Sequence, residues 1–103
     1  MKQIELRRTV LLSLQTALLG EVPPNLRGVT CDWDASTSAL VIRCIFDGKI
    51  LEEDRESMEC VETEVIADFP EDYQVRLECI RRDAPQLLQT DMLLEWVYQR
   101  REP

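Results

Sequence analysis

The sequence predicts an α+β fold: a two-layer sandwich in the order α-β-β-α-β-β, with two helices on one face of a four-stranded antiparallel sheet. Three observations carry this expectation. Apolar residues recur at helical spacing in two stretches and alternate with period two in four, and each helical stretch is followed by two alternating ones. The chain has 103 residues and 45% hydrophobic content. One domain over 1–103 is expected, long enough to bury a core without a disulfide or a metal. Nothing is low in complexity, and the two halves share an element order but no residue-level repeat.

The first helix is expected from Gln3 to Leu19. Ile4, Leu11, Leu14 and Leu18 form its stripe, widened by Val10 and Ala17, while Leu12 and Leu19 lie off it. Gly20 and the Pro23-Pro24 pair close the helix. Basic residues ahead of an apolar run mimic a signal peptide. Glu5, Ser13, Gln15 and Thr16 interrupt that run, however, and no small-residue cleavage site follows, so it reads as an amphipathic helix of a cytoplasmic protein. No stretch is apolar enough for a membrane span.

"GVTCDWDASTSALVIRCIFDG" reads as a hairpin. Val29, Cys31 and Trp33 alternate with polar residues, "DASTS" makes the turn, and Leu40, Ile42, Cys44 and Phe46 share one face of the second strand. Val41 and Ile45 make its other face apolar too, as expected of a covered central strand. The second helix is expected from Leu51 to Asp68, ended by Phe69-Pro70, with Met58, Val61, Val65, Ile66 and Phe69 inward. "YQVRLECIRR" gives a third strand with Tyr73, Val75, Leu77 and Cys79 inward. "MLLEWVYQR" gives a fourth, with Leu94, Trp96 and Tyr98 on one face and core packing expected for its aromatics and for Trp33.

The net charge is −8, and it is local. Asp47 to Asp72 holds eleven acids and two bases, a charge of −9, whereas the rest of the chain holds nine acids and ten bases. That sign disfavours nucleic acid and anionic membranes as partners and favours a basic one. On a helical wheel Glu52, Glu53, Glu56, Glu59 and Glu64 point to solvent. Exposed helices usually mix signs to gain i,i+4 pairs, but here only Arg55 and Glu59 offer one, and Glu52 and Glu56 repel. A surface that accepts self-repulsion is a candidate electrostatic docking face, to be weighed against a merely solvated one. Glu62 falls inside the apolar stripe and therefore needs a partner. Arg43 or Arg76 is expected to supply it; the alternative is a perturbed carboxylate at a site.

Catalytic and metal chemistry find little support, so no enzyme activity, cofactor or metal is expected. There is no histidine for a general base or a Ser-His or Cys-His pair, and the three glycines, Gly20, Gly28 and Gly48, are too dispersed for a phosphate loop. Asp32 and Asp34 share a strand face but lack a third ligand. Cys31, Cys44, Cys60 and Cys79 show no metal spacing and read as reduced thiols, three of them at apolar strand positions. Arg81, Arg82, Arg100 and Arg101 near strand ends suggest a small basic patch or solvated strand ends.

"ILEEDRESMECVETEVIADFPEDYQVRLECI", the preceding "LLGEVPPNLRGVT" and the strand ending in "IFDG" together resemble small bacterial immunity proteins of contact-dependent growth inhibition and related polymorphic-toxin systems. The resemblance covers most of the chain. It implies a cytoplasmic antidote, monomeric or weakly dimeric when free, that binds one cognate toxin domain and blocks its active site. On that reading Glu52, Glu53, Glu56, Glu59 and Glu64 contact a basic toxin surface. Two other readings stay open. One is a structural or regulatory homo-oligomer using Leu12, Leu19, Val41 and Ile45. The other is a small-molecule-binding or enzymatic domain.

Overall fold

The structure, a computed structural model, describes residues 1–103. Helix α1 (Gln3–Ala17) is followed by strands β1 (Leu26–Asp34) and β2 (Ala39–Phe46), helix α2 (Glu52–Ala67), strand β3 (Gln74–Arg81), a short 3-10 turn (Leu88–Asp91) and strand β4 (Glu95–Gln99). The α-β-β-α-β-β order is as expected, and both helices pack on one core with the sheet. The sheet differs from expectation: it is mixed, in the order β3-β2-β1-β4. β1 pairs antiparallel with β2 and with β4, whereas β2 and β3 are parallel. The reason lies between β2 and β3. A 16-residue helix carries the chain back to the end where β2 began, and a return of that kind makes parallel neighbours rather than a hairpin.

Separated from each other in the sheet, β3 and β4 are joined by a connection that is tied to the outer sheet face. Arg43 on β2 donates to the Asp91 carbonyl, Leu93 N–H donates to Thr30 Oγ1 on β1, and Thr30 Oγ1 donates to the Glu95 carbonyl at 2.7 Å. Ile45, which faces away from the helices, is completely buried. It is therefore unavailable to the dimer surface that the sequence suggested for it.

The inner face of the sheet carries Val29, Cys31 and Trp33 opposite Cys44, Ile42 and Leu40. Leu6, Val10, Leu14 and Ala17 of α1 and Met58, Val61, Val65 and Phe69 of α2 or its end close the core. Two helix faces are rotated from expectation. Ile4 is 69% exposed, because the N-terminal turn is oriented by Gln3, which donates to the Trp33 carbonyl and accepts from Ala35 N–H. Leu6 and Ser13 take the inward places instead. Ile66 is 49% exposed, and Asp54 is buried in its stead, held by the Asn25 amide at 2.8 Å.

A bulge reorients β4. Val29 pairs with Tyr98 and Thr30 with Trp96, which leaves Val97 as the extra residue. Val97 and Tyr98 therefore both pack on the core, while Trp96 turns to the outer face. The expected single face of Leu94, Trp96 and Tyr98 does not form, and Leu94 precedes the strand, half exposed. The Trp96 ring lies across Gly28, where an added Cβ would sit 2.9 Å from a ring carbon and 3.2 Å from the Tyr98 carbonyl. Substituting Gly28→Ala is expected to destabilise the protein by about 1–3 kcal/mol, seen as a lower midpoint in urea with an unchanged slope.

Candidate functional site

The outward side of α2 is assembled by ordinary helix physics. Glu52, Glu53 and Asp54 occupy its first turn, where the positive end of the helix favours acids. Met58, Val61 and Val65, at i, i+3 and i+7, turn to the sheet. That rotation leaves Glu52, Glu53, Glu56, Glu59 and Glu64 exposed together, as the sequence expected. None of the five forms an ion pair, and the anticipated Arg55–Glu59 pair does not close. Glu56, Glu59, Cys60, Thr63 and Glu64 border a shallow depression of about 490 Å³ on this face.

Other acids of the same run have structural partners. Asp54 accepts from Asn25 and Asp68 accepts from Ser13 Oγ at 2.7 Å, which ties α2 to α1. Glu62 finds no arginine. Its Oε2 accepts the backbone N–H of Leu77 at 2.9 Å, on the outermost strand, while Arg43 pairs with Glu78. The position of Glu62 in the apolar stripe was a sound warning that it needed a partner. The partner's type was not legible, because a strand edge offers bare N–H groups that residue identities do not mark.

Elsewhere six of the nine arginines form ion pairs, and Arg8, Arg76 and Arg101 do not. Arg27, 2% exposed, sits at the β1 bulge between Leu26 and Gly28. Its guanidinium grips both Glu102 oxygens at 2.7 Å and also donates to the Arg82 carbonyl. Arg100 joins Glu102 to Asp47, Arg81 pairs with Asp83, and Arg82 pairs with Asp91. The basic patch considered for Arg81, Arg82, Arg100 and Arg101 is thus largely neutralised, with Arg101 alone unpaired. A cleft of about 440 Å³ beside Arg27, Gln99 and Arg100 is lined by cations whose forks are already filled by Glu102 and Asp47.

Asp32 accepts from Trp33 N–H and Asp34 from Ser36 N–H and Oγ, which sets the β1–β2 turn, and no three metal-ligating side chains converge. All four cysteines are free thiols, with Cys60 exposed on α2. Burial pushes the Cys31 thiol up to about 12, far from the thiolate a nucleophile requires.

Fold and surface together define a class: a small α+β protein that presents one acidic helix face whose glutamates form no ion pairs. The particular family follows from comparison. The family model described as MafI2 immunity protein matches residues 7–102, and the chain belongs to that family, the immunity proteins of bacterial toxin systems. No curated protein matches the chain significantly. No helix is long and apolar enough to cross a membrane.

The Arg27 and Arg100 hydrogen bonds hold the Glu102 carboxyl down at about 2, well below its ordinary 4.5. A carboxyl that is more acidic in the folded state stabilises the fold above its unfolded pKa and loses that contribution as pH falls through the folded one. Substituting Glu102→Gln is expected to lower stability at neutral pH. In urea titrations at a series of pH values, the gap to wild type should close between about 4.5 and about 2.

Proposed function

We propose that this protein neutralises a cognate toxin domain by binding it, without catalysis, and that the acidic face of α2 meets a basic surface on the toxin. Membership of an immunity family supports the existence of such a partner. The observation that carries the choice of face is the group Glu52, Glu53, Glu56, Glu59 and Glu64, exposed together and unpaired, in a molecule whose other acids mostly have cations or hydrogen-bond donors. Repulsion among five like charges costs free energy in the free protein and is relieved when a cationic surface covers them.

The mechanism is occlusion. A toxin that acts on an anionic substrate carries a basic groove, and an acidic helix face occupies that groove by the same electrostatics. Long-range attraction raises the encounter rate, and nearby apolar or aromatic contacts slow dissociation. The free protein is monomeric or weakly dimeric, acts in the cytoplasm, and belongs with contact-dependent or related toxin delivery. A homo-oligomer is the second reading, favoured by the exposure of Leu12 (64%) on α1 and of Leu19 (77%) in the turn that follows it. Light scattering on the free protein separates the two.

The test is growth protection. Cells expressing the toxin domain together with this protein should grow, and the combined Glu52→Lys, Glu56→Lys and Glu59→Lys variant should fail to protect them. Its circular dichroism should match that of the wild type and its melting temperature should shift by only a few degrees, because the relief of repulsion is offset by a lysine in the first turn and another beside Arg55. Undiminished protection by the triple variant would move the interface off this face.

A further inference from the structure

Cys44 and Cys79 stand side by side at one edge of the sheet. They are register partners in the parallel β2–β3 pair. Both belong to the inward alternation of their strands, Cys44 with Leu40 and Ile42, and Cys79 with Val75 and Leu77. Neighbouring strands lie about 4.8 Å apart, within the roughly 4.4–6.8 Å between Cα atoms that a disulfide spans. Strand β3 has β2 as its sole neighbour, so no strand on its far side opposes the small shift that closing an S–S bond requires.

The other two cysteines are excluded by position. Cys31 shares the inner face, but the register partner of Cys44 on β1 is Val29. Cys31 therefore stands on the diagonal, at about 7–8 Å. Cys60 lies exposed on the outward side of α2. Within the pair the two thiols differ. Cys44 is completely buried, whereas Cys79 is only partly buried. Hydrogen bonding from the Cys44 thiol holds the Cys79 thiol below its ordinary value, and Arg55 acts in the same direction against Glu59 and Glu62. The same contact, together with burial, pushes the Cys44 thiol up. The sulfur that solvent reaches is the one whose thiolate is favoured, and the protonated sulfur lies behind it.

We infer that Cys44 and Cys79 form a dithiol site that hydrogen peroxide oxidises to a disulfide, with Cys79 as the attacking sulfur and Cys44 as the resolving one. The Cys79 thiolate attacks one peroxide oxygen and breaks the O–O bond; the peroxide is reduced, and the hydroxide that leaves takes up a proton as water. The Cys44 sulfur then attacks the sulfenic acid at Cys79 and gives up its proton, with which the sulfenic hydroxyl departs as a second water. Together the two thiols lose two electrons and two hydrogens. The new bond ties the edge strand covalently to β2, along its only paired side. This site lies apart from the outward acidic face and does not rest on the function proposed above.

Thiol counting tests the site on the full chain. The folded protein is treated with limiting hydrogen peroxide, unfolded, and alkylated with iodoacetamide for mass spectrometry. The number of alkylated thiols is expected to fall from four to two. A tryptic digest should join the peptide that begins at Cys44 to the one that begins at Leu77, and dithiothreitol should release it. In a Cys79→Ser variant, Cys31, Cys44 and Cys60 should all remain alkylatable after the same treatment. The wild-type digest decides the matter by itself if that variant folds poorly. Four alkylatable thiols after peroxide, a link through Cys31 or Cys60, or sulfinic acid at Cys79 with no link to Cys44 would each overturn the inference.

Discussion

The crossover from β2 through α2 to β3 is the constraint on which the rest of the molecule depends. A helix laid along a sheet can bury only one stripe, and in α2 that stripe is Met58, Val61 and Val65. Every carboxylate elsewhere on the helix must then face water or find a local partner. The same crossover makes β3 parallel to β2 and leaves it at the edge with unmatched amides. The acidic face and the open edge therefore have one origin: both follow from where a helical connection deposits the strand that comes after it.

Charge is distributed unevenly around that frame. Arg27, Arg43, Arg81, Arg82 and Arg100 are engaged with Glu102, Glu78, Asp83, Asp91 and Asp47 across the sheet, its connection and the C-terminal tail. The pair of buried Arg27 with Glu102 is the most shielded, so removal of either partner strands a charge. On α2 the only cation is Arg55, and it pairs with nothing. A protein that merely needed solubility would gain from spreading its acids. Concentrating them on one helix, with six of the ten arginines paired to other acids, instead creates a directional field.

Much of this was legible in the sequence. The α-β-β-α-β-β order, the inward Cys31, Cys44 and Met58, and the outward Glu52, Glu53, Glu56, Glu59 and Glu64 follow from periodicity alone. The mixed sheet was missed because two alternating stretches in succession resemble a hairpin. The better clue was the helix between β2 and β3, which makes a parallel return the natural one. Trp96 was placed on the wrong face because a bulge at Val97 shifts the alternation by one, and no residue type announces a bulge there. Asp54 shows that spacing carries information that polarity hides. It stands four residues before Met58 and seven before Val61, on the buried stripe, and is tolerated because Asn25 meets it. The cover over Ile45 depends on contacts distant in sequence, from Thr30 to Glu95, which periodicity does not encode.

The central claim is that unpaired carboxylates on α2 drive recognition of a basic toxin domain. The most direct measurement is the association rate constant of the protein with that domain by stopped flow across a range of salt concentrations. Steering by the acidic face predicts a rate that falls steeply as salt rises, since screening shortens the reach of charge to about 10 Å at 0.1 M. A rate indifferent to salt would contradict the account and reduce the acidic face to a solvated helix surface.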